Sequence, residues 1–255
     1  MKKFLALLLA AMMVLSLAAC TPTKPTETEA PQTTTEADTT VEDTTAEDTT
    51  EEAQGVMTYA EYAAANIDDA VTVMFTVQAA QGWWDNKITV YGADEDGAYF
   101  CYNMACSEEA AKEIVGSVIC VTGFKAEYAG ELELAAEATF EFVDGGTPYV
   151  AEAKDLTDKI ASEELIDYQN QLATFKGLTV KSVSKKESDS DPDLYLCCVL
   201  DGAEYNFCVE NYLCGPSTEV YQTVAALTEG QVVDVTGFLY WYNGMNPHVT
   251  AITVK

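Results

Sequence analysis

The chain has no arginine. All 13 of its basic residues are lysines, set against 42 acidic residues, and the formal net charge is −29. Arginine is the side chain that forks onto phosphates and base edges, and nucleic-acid binders carry a basic footprint. A chain this acidic repels a polyanion, so charge argues against nucleic acid as a partner. Histidine is almost missing too, with His248 the single example. One histidine and no Cys-x-x-Cys spacing make a poor zinc site. There is no GxSxG, HExxH, P-loop or Rossmann glycine pattern. Carboxylates are so numerous that no glycosidase-like pair stands out. We therefore assign no catalytic residue, no cofactor and no metal, and read the chain as a non-enzyme.

No apolar run is long enough for a comfortable membrane span. The longest, Phe4 to Leu17, follows Lys2-Lys3 and reads as the core of a secretory signal. It ends in Leu17-Ala18-Ala19-Cys20, which resembles the bacterial lipobox. That resemblance implies cleavage before Cys20 and a lipid on its sulfur, so residues 1–20 are expected to be a lipoprotein signal peptide. The protein would then be extracytoplasmic and anchored to the cell membrane through its N-terminal lipid. Residues 21–55 contain no aromatic residue and ten acids against Lys24. Such a segment cannot offset its ordering entropy and is expected to form a disordered linker, with a contour length on the order of 120 Å. The remaining 200 residues hold 10 lysines and 32 acids, a net of −22.

This remainder contains an internal repeat. GSVICVTGFKAEYAG (116–130) and GQVVDVTGFLYWYNG (230–244) match at eight of fifteen positions without a gap. Upstream, Asp96-Gly97-Ala98 corresponds to Asp201-Gly202-Ala203, Phe100-Cys101 to Phe207-Cys208, and Cys106 to Cys214. The order is kept, which predicts a duplicated domain, 56–145 and 146–255. In the first copy, Thr58 caps a short helix and strands are expected near 71–80, 87–93, 98–103, 117–128 and 131–142. Asp96-Gly97 suits a type I′ hairpin turn, and Ser107 caps a helix between the third and fourth strands. The second copy repeats the plan, with strands near 173–184, 194–200, 203–210, 231–242 and 249–254. Its middle helix is expected at about 218–227, and a helical segment over 153–171 leads in.

Three strands, a helix and two strands is the order of an OB-fold barrel. The run Gly-x-Val-x-x-Val-x-Gly, with a second glycine seven residues later, resembles the fourth strand and turn of many OB-fold domains. The expected fold is mostly β: two tandem OB-fold-like five-stranded barrels, each with a short helix between strands three and four. The whole is similar to tandem OB-like lipoproteins of Gram-positive bacteria, a likeness that implies no activity.

OB barrels bind ligands on the face of strands two and three, flanked by the loops after strands one and four. Trp83 and Trp84 fall in the first such loop of copy one. Tyr240, Trp241, Tyr242 and Asn243 fall in the second loop of copy two, and Tyr128 is the counterpart of Tyr242. Tyr91 and Tyr99, on strands two and three, complete the candidate ligand-binding set. Aromatic faces beside amides and carboxylates suit the apolar faces and hydroxyls of sugars. Neighbouring strand residues point to opposite faces, so Trp83 and Trp84 need not both be open, and these aromatics can equally be core.

Of eight cysteines, the pairs Cys101–Cys106 and Cys208–Cys214 are candidate disulfides, with buried free thiols the alternative. Asp189, Asp191 and Asp193 alternate in one loop, but the glycine and distal glutamate of an EF-hand are absent. The function expected is non-catalytic binding of a glycan or another small ligand through aromatic loop rims. The alternative is a structural or protein-interaction module of the cell envelope; a thiol-redox protein or hydrolase is the third reading.

Overall fold

A computed structural model describes residues 55–185 and 192–255. The signal, Cys20, the acidic linker and most of the acid run at 188–193 lie outside them.

Helix α1 (Tyr59–Ala64) starts where Thr58 Oγ1 accepts from the Glu61 amide and Glu61 Oε2 accepts from the Thr58 amide at 2.8 Å, a reciprocal cap. Then come β1 (Ala70–Ala80), β2 (Lys87–Ala93), β3 (Ala98–Ala105), α2 (Glu108–Ala111), β4 (Val118–Tyr128), β5 (Glu131–Leu134) and β6 (Thr139–Phe142). The sheet order is β1-β2-β3-β5-β4, and pairing of β1 with β4 closes it. β3 and β5 run parallel at Cys101 and Leu134. This is the OB path. The single fifth strand expected over 131–142 is two strands. β5 pairs with the end of β4 and β6 with its start, and the break between them carries Glu137 at φ 72°.

The second barrel holds β7 (Lys154–Asp155), β8 (Leu172–Lys185), β9 (Leu194–Leu200), β10 (Ala203–Val209), α3 (Glu219–Ala225), β11 (Val232–Phe238) and β12 (His248–Val254). Its order is β8-β9-β10-β12-β11, closed by β11 on β8. The 153–171 segment is not an α-helix. It forms β7 and two 3₁₀ turns, Thr157–Lys159 and Glu163–Tyr168. Its buried residues Leu156, Ile160 and Leu165 are spaced by four and then five, which no single helical face accommodates. The Asp-Gly turns also differ. Asp201 (φ 51°) and Gly202 (φ 83°) give the expected paired positive φ values, whereas Asp96 and Gly97 do not. There the Asp94 side chain accepts both the Asp96 and the Gly97 amides instead.

Each barrel has its own core. Val71, Phe75, Val90, Tyr99 and Ile119 lie in the first, and Phe175, Leu196, Phe207 and Val235 in the second. Lys125 is buried, and its ammonium donates to the carbonyls of Tyr62, Ala63 and Ala65 at 2.8–3.0 Å, which closes the C-terminal end of α1 onto β4. The repeated Val-Thr-Gly-Phe run has a steric origin. A Cβ on Gly237 would sit 2.3 Å from the His248 carbonyl oxygen, and one on Gly123 would sit 2.8 Å from Ala138 Cβ. In both copies the chain that follows, at Ala138 or at His248, occupies the space of a side chain. Gly237→Ala is expected to lower stability by about 1–3 kcal/mol, read as an earlier midpoint in urea; an unchanged midpoint would show that β12 yields there.

Candidate functional site

The outer face of β2 and β3, where an OB barrel offers its ligand surface, is partly covered by the second barrel. Cross-strand partners Tyr91 and Phe100 point out of barrel one. Tyr91 stacks on Phe238, with ring centroids 4.5 Å apart and planes at 17°, and Phe100 meets Tyr240 edge-on at 5.3 Å. Tyr91 Oη lies 2.5 Å from His248 Nδ1 and accepts from Gln81 Nε2 at 3.0 Å. The Tyr91 hydroxyl and His248 Nδ1 share one hydrogen bond whose direction follows the imidazole tautomer. Burial holds the imidazole neutral, with its pKa pushed down to about 3.

Beside this contact a cleft of about 310 Å³ stays open. It is lined by Phe100, Thr89, Asn103, Trp84 and Tyr102 of barrel one and by Tyr240, His248, Glu210 and Tyr212 of barrel two. Tyr240 stacks flat on His248 at 4.2 Å. β11 ends at Phe238, short of the expected 242, and this early end releases Tyr240 to the cleft. Burial pushes the Glu210 carboxyl up to about 7. One of its oxygens accepts from the Leu213 amide at 2.8 Å.

The two adjacent tryptophans have opposite fates. Trp83 packs against the first core and donates Nε1–H to the Cys106 carbonyl at 2.9 Å. Trp84 is 52% exposed and lines the cleft. Between Trp84 and Lys87 lies a two-residue turn, with Asp85 at φ 45° and Asn86 at φ 58° and reciprocal backbone hydrogen bonds. The loop is tied across the cleft by the Gly82 amide, which donates to the Tyr212 carbonyl at 2.8 Å.

Of the other candidate residues, only Tyr240 lines this cleft. Tyr91 is sealed between the barrels. Tyr99 is in the first core and donates its hydroxyl to Asp94 at 2.7 Å. Tyr128 and Tyr242 are exposed and face each other at 6.0 Å, where the β4–β5 turn meets its counterpart in barrel two. At that contact the Asn243 amide donates to the Ala129 carbonyl, and the half-buried Trp241 donates its amide to Glu131 Oε2 at 2.7 Å. Phe100, Tyr102, Asn103, Glu210 and Tyr212 were missed. Tyr102 had a signal: it lies two residues from Phe100, so it shares that outward face.

The seven described cysteines are free thiols, so neither candidate disulfide is formed. Cys101 sits within β3 and Cys106 just beyond its end, on the order of 15 Å apart along an extended strand, while a disulfide needs about 4.4–6.8 Å between Cα atoms. Phe207 and Val209 point into the core that takes Cys214, so Cys208 between them points away from it. Among the described residues, no group of three or more His, Cys, Asp or Glu is placed to hold a metal ion.

No family model matches the chain, and no curated protein does either. Solved structures with a related chain path include a murine DNA-binding protein bound to double-stranded DNA (10% identity, covering 72% of this chain and 97% of that one, TM-score 0.36). They also include the Ifi202 HINa domain with a 20-base-pair DNA duplex (12%, 74% and 96%, 0.31) and a replication protein A heterotrimer bound to single-stranded DNA (13%, 73% and 49%, 0.31). The expectation that net charge argues against nucleic acid is corrected here: the structures this path is similar to hold DNA, and charge alone does not remove that class of partner. At 10–13% identity the likeness is one of chain path and goes no further.

Glu131 makes a measurable prediction. It is fully buried, and its Oε1 and Asn170 Oδ1 are buried acceptors with no donor. Burial raises its carboxyl to about 9 against the opposing hydrogen bonds from Trp241 and Asn170, so the folded protein keeps the proton up to that pH. The unfolded chain loses that proton above the ordinary value of 4.5. The stability this group contributes is therefore full below about pH 4.5 and is lost as pH rises to about 9, by at most about 1.4 kcal/mol per pH unit. Glu133 and Glu210, both near 7, act in the same direction up to about pH 7. Glu131→Gln keeps the acceptor for Trp241 and cannot ionise. It should be more stable than the native protein at pH 8 and lose the slope between pH 7 and 9. Urea melts at pH 5, 7 and 9 check this, and an unaltered slope would refute it.

Proposed function

We propose that this is a lipid-anchored extracytoplasmic binding protein, without catalytic activity, that takes a glycan or another small ring-bearing ligand in the cleft between its two barrels. The observation that carries the reading is the open cleft itself. Exposed Trp84, Tyr102 and Tyr212 stand around it, with Thr89, Asn103, Gln81 and Glu210 supplying polar groups. Apolar walls with a few placed polar groups are what small-molecule sites offer. The turn at Asp85-Asn86 and the Gly82–Tyr212 hydrogen bond hold Trp84 in place before any ligand arrives, which lowers the ordering cost of binding.

Intrinsic fluorescence of the detergent-solubilised protein tests this. Acrylamide should quench chiefly Trp84, since Trp83 and Trp241 are tied into the fold, and Trp84→Phe should remove that accessible fraction. Oligosaccharides or peptidoglycan fragments should then shift the emission and protect it. A response to oligonucleotides alone, or capture of an envelope protein with no small-ligand response, would replace the glycan reading. The anchor has its own check: Cys20→Ala should abolish incorporation of labelled palmitate and release the protein from the membrane fraction.

A further inference from the structure

We propose that the ligand of this cleft is a cation, an ammonium group either protonated or quaternary, seated among Trp84, Tyr102, Tyr212 and Tyr240 and facing the Glu210 carboxylate. The proposal rests on the cleft being a binding site and names the class of molecule it takes. The first support is the charge of the wall. Glu210 is its one formally charged side chain, because His248, the only other ionisable group of that kind there, has its Nδ1 engaged by the Tyr91 hydroxyl and stays neutral. An anionic sugar meets repulsion at Glu210, and a neutral one makes no use of it.

The second support is the aromatic content. Four aromatic side chains with accessible faces or edges border one small space, and ring faces attract cations most strongly where water is displaced. One of these rings already does so: the Lys87 ammonium lies 5.8 Å from the centre of Trp84. The third support is the state of Glu210 in the empty cleft. It is raised by burial and by neighbouring Asp193, and no cation is among the groups that act on it. A bound ammonium would supply the missing counter-charge. The field of a globular part with net charge −22 would also concentrate cations near the cleft.

The groups around Glu210 leave a simple pH dependence. Cys208, Cys214, Tyr91 and His248 are uncharged between pH 6 and 8 by virtue of burial, and Asp193 accepts from the Asn211 amide. Glu210 changes charge in that range, and so does Glu133, whose charge acts on Tyr240 and has the same sign of effect on a bound cation. Cation affinity should rise from pH 6 towards 8 as they ionise.

Isothermal titration of the full-length protein in detergent, with choline and its neutral isostere 3,3-dimethylbutan-1-ol, is the test. Glucosamine against N-acetylglucosamine makes the same comparison on a sugar ring. The charged member of each pair should bind at least ten-fold tighter. Glu210→Gln, which keeps the acceptor for Leu213, should reduce that preference to within about two-fold, and Trp84→Ala should abolish choline binding. Equal or tighter binding of the neutral members would overturn the proposal while leaving the cleft a ligand site. No response from either member of either pair, with Trp84 still quenched as in the free protein, would overturn the proposal and the cleft reading together.

Discussion

The hydroxyl of Tyr91 decides how the two barrels meet. It stands on the face an OB barrel uses for ligands and is completely enclosed. A buried hydroxyl left without partners costs about 1–3 kcal/mol. Here it accepts from Gln81 of its own barrel and is hydrogen-bonded to His248 of the other. That second bond has one geometry, and the flat stack of Tyr91 on Phe238 has another; together they fix both the position and the tilt of barrel two. Because half of the binding face is consumed by this contact, the open space is displaced to its edge, where residues of both barrels form the walls. The cleft is thus a property of the pair, and neither barrel owns it.

The absence of arginine has a structural counterpart. With few cations, buried carboxylates must be stabilised by donors or by their own protons. Glu131 accepts from Trp241, and burial keeps it protonated at neutral pH. Gln169 adds two more hydrogen bonds to the same turn, from Leu132 and to Gly130. The join between the barrels therefore has an apolar half, built on Tyr91, and a hydrogen-bonded half, built on Glu131. Lys125 shows the reverse economy: a cation enclosed by three carbonyls at a helix end, with no carboxylate bonded to it.

The architecture was legible because the duplication was. Val-Thr-Gly-Phe recurs where the strand passes too close to the chain that follows it, Ala138 in one copy and His248 in the other, to leave room for a Cβ. Capping residues Thr58 and Ser107 were read correctly because a cap is a local interaction, whereas Thr218, expected inside its helix, is the cap. The 153–171 segment was misread because its charged and apolar residues alternate helically until the spacing slips at Leu165, and only the core it fills reveals the slip. The site was half legible. Trp84 and Tyr240 lie in loops that topology places at the rim. Glu210 and Tyr212 follow β10, a place with no site role in a lone OB barrel; they reach the cleft only through the way barrel two is turned.

Two aromatic pairs show why loop composition alone cannot separate binding from packing. Trp83-Trp84 and Trp241-Tyr242 read alike, each an apolar doublet at the end of a strand. In the first, alternation sends one ring into the core and one into the cleft, and a turn with two positive φ values holds the outer ring there. In the second, the inner ring packs over Gly130, where a Cβ would approach within 2.8 Å, and the outer ring faces Tyr128. The same local rule gives a cleft wall in one case and a joint between barrels in the other. What differs is whether the opposite barrel stands off or closes in, and the Tyr91–His248 bond sets that distance.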